Sequence, residues 1–206
     1  MTWTSKDISL RINDTSANLI GLSVTERFPN VRVLDGPPGD SGRLNILIGF
    51  RPPPGEPLEG YDWIHSTGAG VDHLCSALDL TKPTPLMTRT IGRMGEQMGE
   101  YCLAYALSHA QRMAERRVLQ GAADWNEDAA NPVFLFDQTI GIIGTGEIGT
   151  GIARMFRALG ARVCGYSRSG RANDAFDEVR PLSGFGEGAP PDVLILALPQ
   201  TPDTDN

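Results

Sequence analysis

At 206 residues the chain is long for one domain and short for two, and 40% hydrophobic with 21% charged content describes a globular protein. A net charge of −7 lacks the basic footprint that nucleic acid or an anionic membrane surface requires, so neither is expected as a partner. Cys75, Cys102 and Cys164 are odd in number and without metal-ligand spacing, which argues against a disulfide framework or a zinc site. Cys102 and Cys164 fall in apolar stretches and read as buried thiols. No apolar run reaches membrane-spanning length and no signal-peptide pattern opens the chain, so the expected compartment is the cytoplasm.

In chain order, Ile8–Ile12, Val31–Leu34, Ile46–Phe50 and Trp63–His65 are short strand candidates, with helix candidates at Ala17–Phe28 and Val71–Leu78. Such alternation predicts a parallel α/β sheet. Gly36–Gly42 and Pro52–Gly60 are Pro/Gly-rich surface loops. The cluster Ser66-Thr67-Gly68-Ala69-Gly70-Val71-Asp72 joins a strand to a helix. Its amides would either hold a small carboxylate at the helix start or simply make a tight turn. His65 and His73 flank it and read as structural. Met94–Gln120 is a proline-free helical stretch linking two domains, residues 1–93 and 94–206, and Trp125–Asp137 is a connection. Arg89 and Arg93 lie between those domains and read as solvated or ion-paired rather than catalytic.

The run Thr139–Ser169, TIGIIGTGEIGTGIARMFRALGARVCGYSRS, is the most informative part of the chain. The β-branched strand Thr139–Ile143 leads into Gly144-Thr145-Gly146-Glu147-Ile148-Gly149, which fits G-x-G-x-x-G between a strand and a helix. Gly144 would allow the tight turn, Gly146 the approach of a pyrophosphate, and Gly149 close packing of helix on strand. The phosphates would sit on unpaired amides at the helix start. Ile148, Ile152, Met155, Phe156 and Leu159 supply an apolar face, and Gly160 a stop.

A second strand, Arg162–Tyr166, ends in Ser167-Arg168-Ser169, where an NAD site usually carries a carboxylate for the ribose hydroxyl. A guanidinium and two hydroxyls suit a 2′-phosphate instead, so NADP(H) is expected over NAD(H). Glu178–Arg180 and Val193–Leu198 are further strands. The latter is apolar throughout, as expected of a strand covered on both faces, with its outer edge open.

Taken in order, WIHSTGAGVDHL, MGEQMGEYCLAYAL, the fingerprint run and VLILALPQTPDT resemble the D-isomer-specific 2-hydroxyacid dehydrogenases, and MGEQMGEY with Ser-Arg-Ser resembles their glyoxylate/hydroxypyruvate reductase branch. The resemblance implies two Rossmann-like parallel-sheet domains, flavodoxin-like and dinucleotide-binding, the second incomplete. It implies an NAD(P)H-dependent reductase of a small 2-keto acid, acting as a homodimer when complete. It implies a substrate carboxylate on the amides of Ala69, Gly70 and Val71, Met98 on the nicotinamide pocket, and Leu198, Pro199 and Thr201 against the cofactor. The family's catalytic Arg, Glu and His would lie beyond Asn206, so the chain reads as an inactive fragment of a longer enzyme, with no catalytic residue of its own. Two other readings stand beside it: a non-catalytic NADP(H)-binding sensor or partner subunit, and a methyltransferase, which the basic residues after the second strand disfavour.

Overall fold

The computed structural model of the protein describes residues 7–39, 42–126, 128–199 and Thr204. Among the described residues the chain divides into two units, one holding residues 7–92 with Pro199 and Thr204 and the other spanning Arg93–Leu198. Both are built on parallel sheets.

The first unit holds β1 (Ile8–Asn13), α1 (Ala17–Arg27), β2 (Arg32–Leu34), β3 (Leu44–Gly49), β4 (Trp63–Ser66), α2 (Asp72–Cys75) and β5 (Leu86–Arg89). Its sheet order β2-β1-β3-β4-β5 is the flavodoxin-like arrangement. Leu10, Leu47 and Ile64 are buried in the sheet, and each such side chain contributes about 1.5–3 kcal/mol. Strand β5 had no apolar run to announce it. Leu-Met-Thr-Arg is half polar, follows Pro83 and Pro85, and is a strand because it pairs with β4 from Trp63↔Leu86 to Ser66↔Arg89. The helix expected over Val71–Leu78 closes after one turn. Leu78 N–H then bonds Cys75 O at 3.2 Å, a tighter winding that carries both Leu74 and Leu78 into the core.

The second unit holds α3 (Met94–Ala110), α4 (Met113–Ala122), β6 (Thr139–Ile143), α5 (Glu147–Ala158), β7 (Arg162–Ser167), β8 (Glu178–Pro181) and β9 (Val193–Leu196). Its order, β8-β7-β6-β9, is one mononucleotide-binding half followed by the first strand of a second. Ile140, Ile142, Val163, Ile152 and Phe156 form its buried centre.

Three expectations are corrected in this unit. The single helix over Met94–Gln120 is two helices, broken at a left-handed Arg112 (φ 52°) without glycine or proline. Partners beyond the helix hold the break: Arg116 donates to Gln111 O at 2.7 Å and to Ala130 O at 3.0 Å, and Val133 N–H bonds Ala110 O at 2.8 Å. Strand β9 is not covered on both faces. Leu194 is 46% and Leu196 69% exposed, because β9 is the sheet's edge and one face meets no layer among the described residues. Leu159 is exposed at the end of α5 rather than part of its apolar face, since Gly160 (φ 84°) turns the chain there.

Helices α3 and α5 meet through glycines. A methyl on Gly151 would stand 2.6 Å from the Gly95 backbone, and one on Gly95 would stand 3.0 Å from Glu147 O. The start of α3 therefore lies on the start of α5. Gly151→Ala is expected to destabilise the protein by about 1–3 kcal/mol, since neither backbone yields to a methyl without parting the helices. An unchanged urea midpoint would contradict this packing.

Candidate functional site

The glycine turn stands at the carboxyl ends of β6, β7 and β9, outside the switch point of the strand order, where open α/β sheets bind ligands. Each of its glycines has a different environment. Gly144 adopts φ 103°, and a side chain there would run into Ala197 O just beyond β9. Gly149 faces Gly144 O so closely that any Cβ would overlap it. Gly146 has nothing within 4 Å of where a Cβ would stand. The turn is thus filled behind and open in front, the shape a pyrophosphate requires.

The first helical bond of α5 is Thr150 N–H to Gly146 O, 2.8 Å, and no side chain caps Gly146. The amides of Glu147, Ile148 and Gly149 are therefore left for an anion. Thr145 is half-buried, Glu147 is exposed, and Ile148 packs on the core.

One contributor had no sequence signal beyond an Asn in a loop. Asn173 Nδ2 donates to Thr150 Oγ1 at 2.9 Å and to Thr145 O at 3.3 Å, tying the loop after β7 to the glycine turn. That loop begins with the predicted phosphate contacts. Ser167 Oγ accepts from Gly170 N–H (3.2 Å) and Ser169 Oγ from Arg171 N–H (3.3 Å), which leaves both hydroxyl protons to donate. Arg168 is exposed and makes no hydrogen bond or ion pair among the described residues. Leu198 lies two residues past β9, its backbone N 3.3 Å from a Cβ on Gly144, and is exposed. Pro199 is also exposed, and Thr201 lies outside the described residues. Met98 is exposed on α3, one turn beyond Gly95.

In the first unit, the loop between β4 and α2 has its carbonyls occupied and its amides free. Ser66 Oγ donates to Gly68 O (3.1 Å) and Gly70 O (3.0 Å), and Arg89 Nη1 donates to Ala69 O at 2.6 Å. Among the described residues the amides of Ala69, Gly70 and Val71 meet no acceptor. Thr67 Oγ1 donates to Asp14 Oδ2 at 2.6 Å, and this bond with the Ser16 amide holds the Asp14 carboxyl below the usual carboxylate range. A Cβ on Gly68 would stand 2.6 Å from the Phe50 ring, so a side chain there would displace Phe50. One-turn α2 adds little dipole, so the loop amides carry whatever anion affinity the site has.

The nearby histidine is engaged structurally. Trp63 Nε1 donates to Thr88 Oγ1 (2.8 Å), Thr88 meets His65 Nδ1 (2.8 Å), and His65 Nε2 meets Thr90 Oγ1 (3.1 Å). His73 stacks edge-on against Phe50. Among the described residues no histidine is paired with a carboxylate. Burial pushes the Cys75 and Cys102 thiols above the ordinary cysteine value, which makes neither an activated nucleophile.

A family model, the D-isomer specific 2-hydroxyacid dehydrogenase NAD binding domain, matches residues 103–206, half of the chain. The chain belongs to this dehydrogenase family. It is 32% identical over 197 residues to glyoxylate/hydroxypyruvate reductase A of Serratia proteamaculans, which covers 90% of the chain and 61% of that relative's length. The fold is similar to that of a family protein from Aeromonas salmonicida, at TM-score 0.72 and 30% identity, covering 96% of this chain and 66% of that one. It is also similar in fold to a D-isomer specific 2-hydroxyacid dehydrogenase of Xanthobacter autotrophicus solved with NADPH and MES, at TM-score 0.77 and 23% identity, covering 96% and 65%. The chain thus spans about two thirds or less of the length of these members of the dehydrogenase family. No helix among its described residues is long and apolar enough to cross a membrane.

Proposed function

We propose that this chain binds NADP(H) in preference to NAD(H) and serves the reduction of a small 2-keto acid, of the glyoxylate or hydroxypyruvate type, to the 2-hydroxy acid. The observation that carries the reading is the glycine turn, filled behind Gly144 and Gly149 and open at Gly146. The turn amides and the start of α5 hold the pyrophosphate, and Arg168 with Ser167 and Ser169 takes the 2′-phosphate. The bound nicotinamide supplies the hydride. Ala69, Gly70 and Val71 anchor the substrate carboxylate through their N–H groups, which orients the keto carbon and leaves the side-chain end of the substrate unengaged. The name of the Serratia relative supports the keto-acid class.

NADPH fluorescence, titrated with the 206-residue chain, tests the cofactor half directly. Saturable enhancement that inorganic pyrophosphate competes away is the expected result. No binding of either reduced nicotinamide nucleotide would end the reading.

A further inference from the structure

We propose that Arg89 and Ser66 are positioning residues: by holding three successive carbonyls they turn the loop's three amides toward the substrate carboxylate. The inference rests on the reading of this loop as the carboxylate site. A trans peptide unit is planar, so the C=O of one residue and the N–H of the next point in opposite directions. The carbonyls of Gly68, Ala69 and Gly70 therefore set the directions of the amides of Ala69, Gly70 and Val71. Those three carbonyls are the ones engaged, at 3.1 Å and 3.0 Å by Ser66 Oγ and at 2.6 Å by Arg89 Nη1.

The division of labour follows from proton count. Ser66 is fully buried, and its single hydroxyl proton is shared between Gly68 O and Gly70 O while its oxygen accepts from Gly68 N–H at 3.3 Å. The middle carbonyl needs another donor. Arg89 is the residue opposite Ser66 in the β4–β5 ladder, so one sheet register delivers both donors to one loop. Its bond to Ala69 O is charge-assisted and roughly twice as strong as a neutral one. Glycines on either side of Ala69 leave that peptide free to rotate if it is released. A rotated peptide would present its carbonyl to the carboxylate and repel it.

The test is an amide-resolved titration of the 206-residue chain with oxamate, an isostere of a small 2-keto acid. In the parent, the amide resonances of Ala69, Gly70 and Val71 are expected to shift together. Arg89→Met keeps the aliphatic stem but removes the donor. It is expected to weaken oxamate roughly tenfold and to abolish the Gly70 shift first, the loss of one charge-assisted hydrogen bond. Arg89→Lys, which still donates to Ala69 O, is expected to recover most of the affinity. A folded Arg89→Met variant that binds oxamate within about twofold of the parent would overturn the positioning role and leave the carboxylate site standing. Absence of any loop shift in the parent would remove the site itself, and the positioning role with it. Should Arg89→Met fail to give a dispersed spectrum, Ser66→Ala decides in its place: weakened oxamate with loss of the Ala69 and Val71 shifts in a folded chain supports the positioning role, and binding within about twofold of the parent overturns it.

Discussion

Gly146→Ala is expected to leave the protein as stable as the parent, within about 1 kcal/mol, while weakening NADPH roughly tenfold or more. Two small opposing effects set the stability. Alanine is a poorer N-cap than glycine, but it also restricts the unfolded chain. The backbone there, φ −73° and ψ −167°, is open to any residue, and no atom lies within 4 Å of the new methyl. The space the methyl enters is the space assigned to the pyrophosphate. Gly149→Ala is expected to behave in the opposite way, losing about 3 kcal/mol of stability because its Cβ lands on Gly144 O. Denaturant midpoints and NADPH titrations on the two variants separate these roles. If Gly146→Ala bound NADPH as the parent does, the cofactor would have to approach the turn from another side.

Arg168→Asp is expected to reverse the preference between NADPH and NADH. Removing a guanidinium from a phosphate costs about 1.5–3 kcal/mol, which is roughly ten- to hundredfold in Kd. The new carboxylate repels a 2′-phosphate and accepts from the ribose hydroxyls of NADH, so the ratio of the two affinities moves further than either alone. Stability should not move, because Arg168 is exposed and joins no hydrogen bond or ion pair among the described residues. Paired fluorescence titrations with NADPH and NADH are the measurement. An unchanged ratio would assign Arg168 to the solvated surface and leave the 2′-phosphate without a partner.

Much of the second unit is legible in the sequence. The strand Thr139–Ile143 is β-branched and short, the fingerprint glycines follow it at fixed spacing, and the helix repeats its apolar residues at the helical period. Each of these is a local property, written in consecutive residues. The motif's spacing also assigned the turn to Gly144, the phosphate approach to Gly146 and the helix packing to Gly149, but it did not name the atom behind Gly144, Ala197 O, which lies just beyond β9 some fifty residues later.

The elements that escaped are those whose cause lies elsewhere in the chain. Strand β5 is defined by its ladder with β4, and the break at Arg112 by Arg116 and Val133, so neither leaves a trace in local periodicity. Arg89 read as a solvated or interdomain residue because nothing near it in sequence needs a donor; Ala69 O does, from the loop that follows the neighbouring strand.

The sequence by itself determined the two parallel α/β units, the glycine turn between β6 and α5, and the basic loop after β7 to which the choice of cofactor is assigned by proposal. Tertiary structure alone decided which carbonyls are held and which amides are left for ligands. Hydrophobic period reports which face of a segment is buried, whereas a hydrogen-bond partner is set by the register between strands that are far apart in the chain.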